Sequence, residues 1–281
     1  MNQTTVLLSS VVGIYTLGFA SYLREFVTTW RPQAVRASHF VEGGFLIHTL
    51  AIFIQVFTFQ QGTGTQLHLP VTTVGEASGF FAWALAFVYL ILVKRFKTES
   101  FGLVLAPVLV FFLIPALFPF RPHPVPRAYV HNTYFLLHTL SAFFGYASFA
   151  LSFIAGILYL VQDYVLKHKV AGNIYDKLPS LEDLERLSFR TILWGILLLG
   201  GAIATGALWS KNVFGTLWLW EPKSFASLLT WCAYLGIIYL REFSLVKGTQ
   251  LMRFAVIAFL LVLFTFLGTS VFQAGLHVGI W

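Results

Sequence analysis

Long apolar runs separated by short polar stretches dominate the chain. Eight runs come near the ~20 residues a helix needs to cross a bilayer, at 5–23, 40–59, 75–93, 101–119, 134–162, 188–209, 224–241 and 252–276. The pattern predicts an all-α integral membrane protein, a bundle of about eight transmembrane helices with a tryptophan-rich loop between helices six and seven. Connections near 60–74, 120–133 and 210–223 fall on one side of the membrane. On the other side, the connection near 163–187 carries Leu181–Leu187, a short amphipathic helix entered through Pro179 and Ser180 and leading into span six. No connection reads as a separate domain, so 1–281 is expected to form a single transmembrane unit. Met1–Tyr22 lacks a basic n-region and runs straight into Arg24, which suits a retained first span rather than a cleaved signal.

Composition excludes an ordinary soluble domain: 58% of residues are hydrophobic and 10% charged, with a mean hydropathy of +0.79. Lysine and arginine then orient the spans. Only Arg121, Arg127, Lys211 and Lys223 fall on the side of the tryptophan-rich loop, and the rest of the 18 fall opposite. The opposite side is therefore expected to be cytoplasmic, with both termini and the loop facing outward. The net charge of +7 follows from this topology and is no signal for nucleic acid. Cys232 stands alone, which leaves no disulfide, redox pair or thiolate metal cluster within the chain. No internal repeat is visible, and intramembrane charges are sparse, so a transporter of small hydrophilic solutes is the weakest option.

The segment 209–223 places Trp209, Trp218 and Trp220 between two apolar runs, with Phe214, Gly215, Glu221, Pro222 and Lys223 among them. Such an aromatic patch suits a flat apolar ligand with a polar edge. If 213–223 is partly helical, Phe214, Trp218 and Glu221 share one face. Glu221 then either sits beside that ligand or pairs with Lys223 at the surface. His138 and His277 lie near the outer ends of spans five and eight, on the loop's side. Each is either an axial ligand to heme iron or an interfacial imidazole bonded to a neighbouring carbonyl. His48 lies mid-span, where an ionisable group is a functional candidate by default, unless it bonds a Ser, Thr or carbonyl across helices. His39 and Glu42 lie at the inner boundary. Gly43, Gly44, Gly200, Gly201 and Gly206 suit close helix packing, Pro107 and Pro115 a kinked fourth span, and His123 a stiff solvated connector.

These residues resemble the cytochrome c assembly proteins of the CcsA/ResC type, within the wider heme-handling group that includes CcmC and CcmF. The family's mark is Trp-Gly-x-x-Trp-x-Trp-Asp followed by Pro-Lys, and Phe214 to Lys223 is similar to it, preceded by Gly206-Ala207-Leu208-Trp209. Further likeness lies in Phe135-Leu136-Leu137-His138 before Tyr146, in Gly275-Leu276-His277, and in Leu69-Pro70 with Glu76 and Trp83. The resemblance implies cytochrome c biogenesis. Heme b is bound on the outer face of a bacterial or plastid membrane and presented to the Cys-x-x-Cys-His thiols of apocytochrome c, with His138 and His277 as axial ligands to the iron. It implies Trp218, Trp220 and Gly215 as the platform, a CcsB/ResB-type membrane partner, and a component of a cytochrome c synthase (heme lyase). Lys211, Lys223, Arg121 and Arg127 are the cations on that side that can meet propionates.

Three motif positions depart from the pattern: Phe214, Glu221 and Ser224 replace tryptophan, aspartate and an acidic residue. In span seven Tyr239 stands where the family carries a histidine that ligates heme inside the membrane. Tyr239 is then either a substitute ligand or an interfacial belt residue. A non-catalytic subunit of the same ancestry, serving heme sensing, scaffolding or electron transfer, is the second reading. Glu76 at the start of span three is read as fixing a helix end, with a site role as the alternative.

Overall fold

The computed structural model describes residues 3–28, 34–58, 69–92, 99–118, 132–169 and 178–268. Eight helices occupy them: α1 (Gln3–Val27), α2 (Ala34–Thr58), α3 (Val74–Leu92), α4 (Glu99–Leu113), α5 (Thr133–Lys167), α6 (Leu181–Phe214), α7 (Pro222–Glu242) and α8 (Thr249–Leu263). Among the described residues seven helices are long and apolar enough to cross a membrane, and Phe101–Leu117 is a shorter apolar one. The all-α membrane bundle expected from the sequence is the observed fold.

The two longest helices overrun the hydrocarbon core. α5 has 35 residues and α6 has 34, each about 50 Å long at 1.5 Å per residue against a hydrocarbon core of ~30 Å. The amphipathic segment 181–187 is the first part of α6 and not a separate helix. Ser180 caps it, its Oγ accepting from the Asp183 backbone N–H at 3.1 Å and donating to the Asp183 carboxylate at 2.7 Å. Glu182 pairs with Arg186 at 2.6 Å, and no glycine or proline interrupts the way into the apolar run. In α4, Pro107 lies within the helix, and Pro115 coincides with a tightening into a 3-10 turn over Ile114–Leu117. The last run is a regular helix to Leu263 and widens to a π-helical turn over Phe264–Gly268.

The helices form two compact units, α1–α4 and α5–α8. In the first, α1 and α2 run antiparallel, with the Tyr15 ring lying over Gly44 and approaching the His48 ring edge-on. Trp83 of α3 donates to Thr49 Oγ1 of α2 at 2.9 Å and stacks on Phe45. Ser78 of α3 donates to the Phe112 carbonyl of α4 at 2.6 Å. Where lipid is as apolar as leucine, such hydrogen bonds and close contacts hold helices together, at about 0.6 kcal/mol per bond.

In the second unit α5 is the central helix, and most of its residues from Phe143 to Leu158 are buried. α6 lies antiparallel to it through Ser152 and Ser188, whose hydroxyls meet at 2.9 Å, and through Phe149 against Gly195. α7 joins through Tyr146 and Ser227 at 3.1 Å and through Tyr234, stacked on Phe149. α8 joins through Phe259 on Phe153 and through Thr249, which donates to Asp163 at 3.0 Å. Charges gather at the end of this unit where α5 finishes: Lys167 pairs with Asp163 at 2.8 Å, and Arg241 meets Glu242 at 3.2 Å and lies over the Phe189 ring. The opposite end holds the start of α5, the end of α6, and the tryptophan-rich loop.

Candidate functional site

The loop is shaped by its two ends. α6 stops because Gly215 adopts a left-handed conformation (φ 76°, ψ 0°) that a residue with a Cβ enters only with strain, and its N–H donates to the Lys211 carbonyl at 3.1 Å. Ser210 Oγ then donates to the Thr216 carbonyl at 2.7 Å, tying the loop back to the helix. α7 begins at Pro222, whose missing N–H costs nothing in the first turn. Residues 215–221 are thus not helical, and the shared face expected for Phe214, Trp218 and Glu221 is not formed. The left-handed glycine and the following proline break the helical register.

Beneath the loop, α6 presents Ala202, Gly206 and Trp209, spaced i, i+4 and i+7 on one face. His138 of α5 fits against this stripe. Its Nδ1 lies 2.7 Å from the Ala202 carbonyl oxygen, and its ring is stacked on Trp209 with centroids 6.3 Å apart and planes within 10°. Trp209 is 3% exposed and is held on other sides by Phe135 at 5.6 Å and by the edge-on Phe214 ring at 5.8 Å. Of the two roles open to His138, the carbonyl bond is therefore present, and it does not compete with ligation. A carbonyl only accepts, so in the neutral ring Nδ1 carries the proton and Nε2 carries the lone pair. Metal-ligating histidines are oriented in this manner by a bond from their other nitrogen.

The aromatic patch divides into two layers. Trp209 belongs to the interior with Phe135, His138 and Phe214. Trp218 and Trp220 form an outer pair, edge to face at 6.2 Å, with Trp218 half-buried and Trp220 85% exposed. Glu221 is buried at the start of α7 and interacts electrostatically with half-buried Lys223, while Lys211 is exposed.

The remaining positions singled out in the sequence are scattered. His277, Arg121, Arg127 and His123 lie outside the described residues. Glu76 accepts from the Thr72 N–H at 2.9 Å and from its hydroxyl at 2.7 Å, and its own N–H donates to Thr73 Oγ1, an arrangement that fixes the start of α3. His39 Nδ1 lies 3.3 Å from the Glu42 carboxylate. His48 is fully buried, and neither ring nitrogen has a hydrogen-bond partner among the described residues, so the cross-helix bond expected of it is not made there. Tyr239 is 56% exposed on α7 and packs against Phe243.

A family model described as cytochrome C assembly protein matches residues 71–277, covering the helices that build this site. The chain belongs to that family. As a cytochrome c assembly protein it is a membrane protein of cytochrome c biogenesis, a process that handles heme and apocytochrome c. It is 23% identical over 239 residues to the cytochrome c biogenesis protein CcsA of Prochlorococcus marinus (strain MIT 9515), covering 76% of each chain. The CcsA protein of Chlamydomonas reinhardtii is 27% identical over 219 residues, 75% of this chain and 60% of the relative. Protein HemX of Brevibacillus brevis is 28% identical over 265 residues, 92% of this chain and 94% of the relative.

The sequence of this cytochrome c assembly protein offers His138 and the tryptophans as candidates but not what orients them. Ala202 contributes only a carbonyl and Gly206 only the lack of a side chain. The signal available for both was their helical spacing from Trp209.

Proposed function

We propose that this chain takes up heme b on the outer, periplasmic or lumenal, face and presents it for attachment to the Cys-x-x-Cys-His thiols of apocytochrome c, as a component of a cytochrome c synthase. The observation that carries the reading is the His138 imidazole bonded through Nδ1 to Ala202 and backed by Trp209, which directs the ligating character of the ring to Nε2. Among the described residues no three His, Cys, Asp or Glu side chains gather as a metal site. His277 is the second axial ligand in this reading. Trp218 and Trp220, with Gly215 and Phe214 shaping the loop, offer aromatic faces of large contact area and low ordering cost. Lys211 and Lys223 are the described cations that would meet a propionate edge, with Glu221 acting electrostatically on Lys223.

Attachment adds each thiol across a vinyl group, sulfur to one carbon and the proton to the other, so nothing leaves. The chain's share is to hold the ring still and keep water from its faces, while the apocytochrome supplies sulfur. Residues 1–281 serve as one heme-handling domain in this reading, and the basic ends face the cytoplasm. A CcsB/ResB-type membrane protein completes the assembly. The test is complementation of a strain lacking this protein, with c-type cytochromes detected by heme stain. Wild type restores them and His138→Ala or His277→Ala does not. Restoration by both variants overturns the reading.

One observation favours a second reading, a non-catalytic membrane subunit for heme sensing, scaffolding or electron transfer. The match to Protein HemX runs nearly end to end, whereas the CcsA relatives named above match about three-quarters of the chain. Tyr239, exposed and away from the His138 pocket, agrees with the loss of a ligand inside the membrane. Unchanged c-type cytochromes in the deletion strain, with the protein co-purifying in another membrane complex, would decide for this role.

A further inference from the structure

We infer that Gly206 is a positioning residue for His138: it keeps one face of α6 bare so that the imidazole reaches the Ala202 carbonyl, and it thereby fixes which ring nitrogen can act as a ligand. A Cβ built at Gly206 would lie 2.7 Å from His138 Nδ1 and 3.0 Å from Cε1. Any side chain there takes the place of the ring. The ring cannot move away without giving up the 2.7 Å bond to Ala202 or the parallel contact with Trp209. All three α6 positions lie on the same stripe, so one helix face supplies the acceptor, the space and the backing.

A glycine in a helix interior costs about 1 kcal/mol relative to alanine, and general looseness of this segment does not account for it. At Gly201, on the same helix, a Cβ would meet nothing within 4 Å among the described residues. Gly206 differs in having the imidazole where its side chain would be. Thr205, next to it, keeps its hydroxyl on the Gly201 carbonyl at 2.7 Å, with the Ala202 carbonyl at 3.2 Å. The chemical consequence lies on Nδ1. Without the Ala202 carbonyl the proton is no longer directed to that atom, and the two tautomers of the free imidazole compete.

The heme half of this inference rests on His138 being a heme ligand; the structural half does not. The experiment uses the full chain in detergent, as wild type, Gly206→Ala, Gly201→Ala, His138→Ala and the double variant Gly206→Ala/His138→Ala. The first readout is thermal unfolding without heme. Gly206→Ala is expected to lower Tm in the wild-type background and to leave it unchanged or raised in the His138→Ala background, and Gly201→Ala is expected not to lower it in the wild-type background. An equal loss of Tm or of folding in both backgrounds shows that Gly206 serves something other than His138 and overturns the inference. The second readout is the absorption spectrum during hemin titration. Gly206→Ala is expected to weaken retention on the order of tenfold, the cost of removing an orienting partner, with loss of the low-spin signature, while Gly201→Ala matches wild type. If wild type binds hemin and Gly206→Ala binds it equally with the same spectrum, the positioning role fails and the heme reading stands. If wild type binds none, the heme reading fails and the Tm comparison alone decides the role of Gly206.

Discussion

His138 and Trp209 lie as nearly parallel plates, their planes 10° apart, with the indole on the buried side. Trp209 is therefore a wall of the histidine's pocket, and Trp220, 85% exposed, is the aromatic that a partner or ligand can reach. Trp209→Ala should cost about 3–5 kcal/mol of stability, the range for emptying a large buried aromatic site. Trp220→Ala should stay within about 0.5 kcal/mol, as exposed positions do, while lowering holocytochrome yield. Thermal unfolding beside heme staining checks both, and equal destabilisation by the two variants would contradict the division into layers.

Gly215 closes α6 with φ 76°. Gly215→Ala should destabilise by about 1–2 kcal/mol, the penalty for a Cβ in the left-handed region, and Gly215→Asn by less. The same unfolding assay tests the order, and an alanine variant as stable as wild type would mean that the loop is not held by that conformation.

Ser152 and Ser188 meet at 2.9 Å between α5 and α6. Either serine to alanine should cost about 0.6 kcal/mol, as hydrogen bonds between membrane helices do. The double variant should cost no more than a single one, because the pair is lost once. Additive losses in a double-mutant cycle would show that the hydroxyls act independently.

Much of the architecture was legible in the chain because a bilayer admits few solutions: an apolar run near twenty residues must be a helix. What hydropathy cannot see is where a helix ends in water. α6 therefore begins at Leu181, where Ser180 caps it, and α5 continues to Lys167 on local propensity and the pairing of Asp163 with Lys167. The candidate site residues, His138 and the tryptophans, were legible through their distinctive chemistry. The division of those tryptophans into an inner and an outer layer was not, since it depends on the turn at Gly215. Gly206 was read as a site of close helix packing, and what it admits from α5 is the His138 ring. Composition does not reveal which side chain is received.

Tyr15 and His48 face each other edge-on with centroids 6.4 Å apart, and neither the hydroxyl nor a ring nitrogen has a hydrogen-bond partner among the described residues. Tyr15→Phe removes a buried polar group and keeps the ring, so it should be neutral or stabilising by about 1 kcal/mol. A loss of stability in the unfolding assay would mean that the hydroxyl has a partner after all.

In the proposed function His138 presents Nε2 to heme iron. The most direct measurement is the visible absorption spectrum of the purified full chain, oxidised and reduced, beside His138→Ala and His277→Ala. The expected result is a low-spin bis-histidine spectrum in the wild type that is lost in both variants. An unchanged spectrum in His138→Ala, or a wild type that takes up no heme from heme-replete cells, would contradict it.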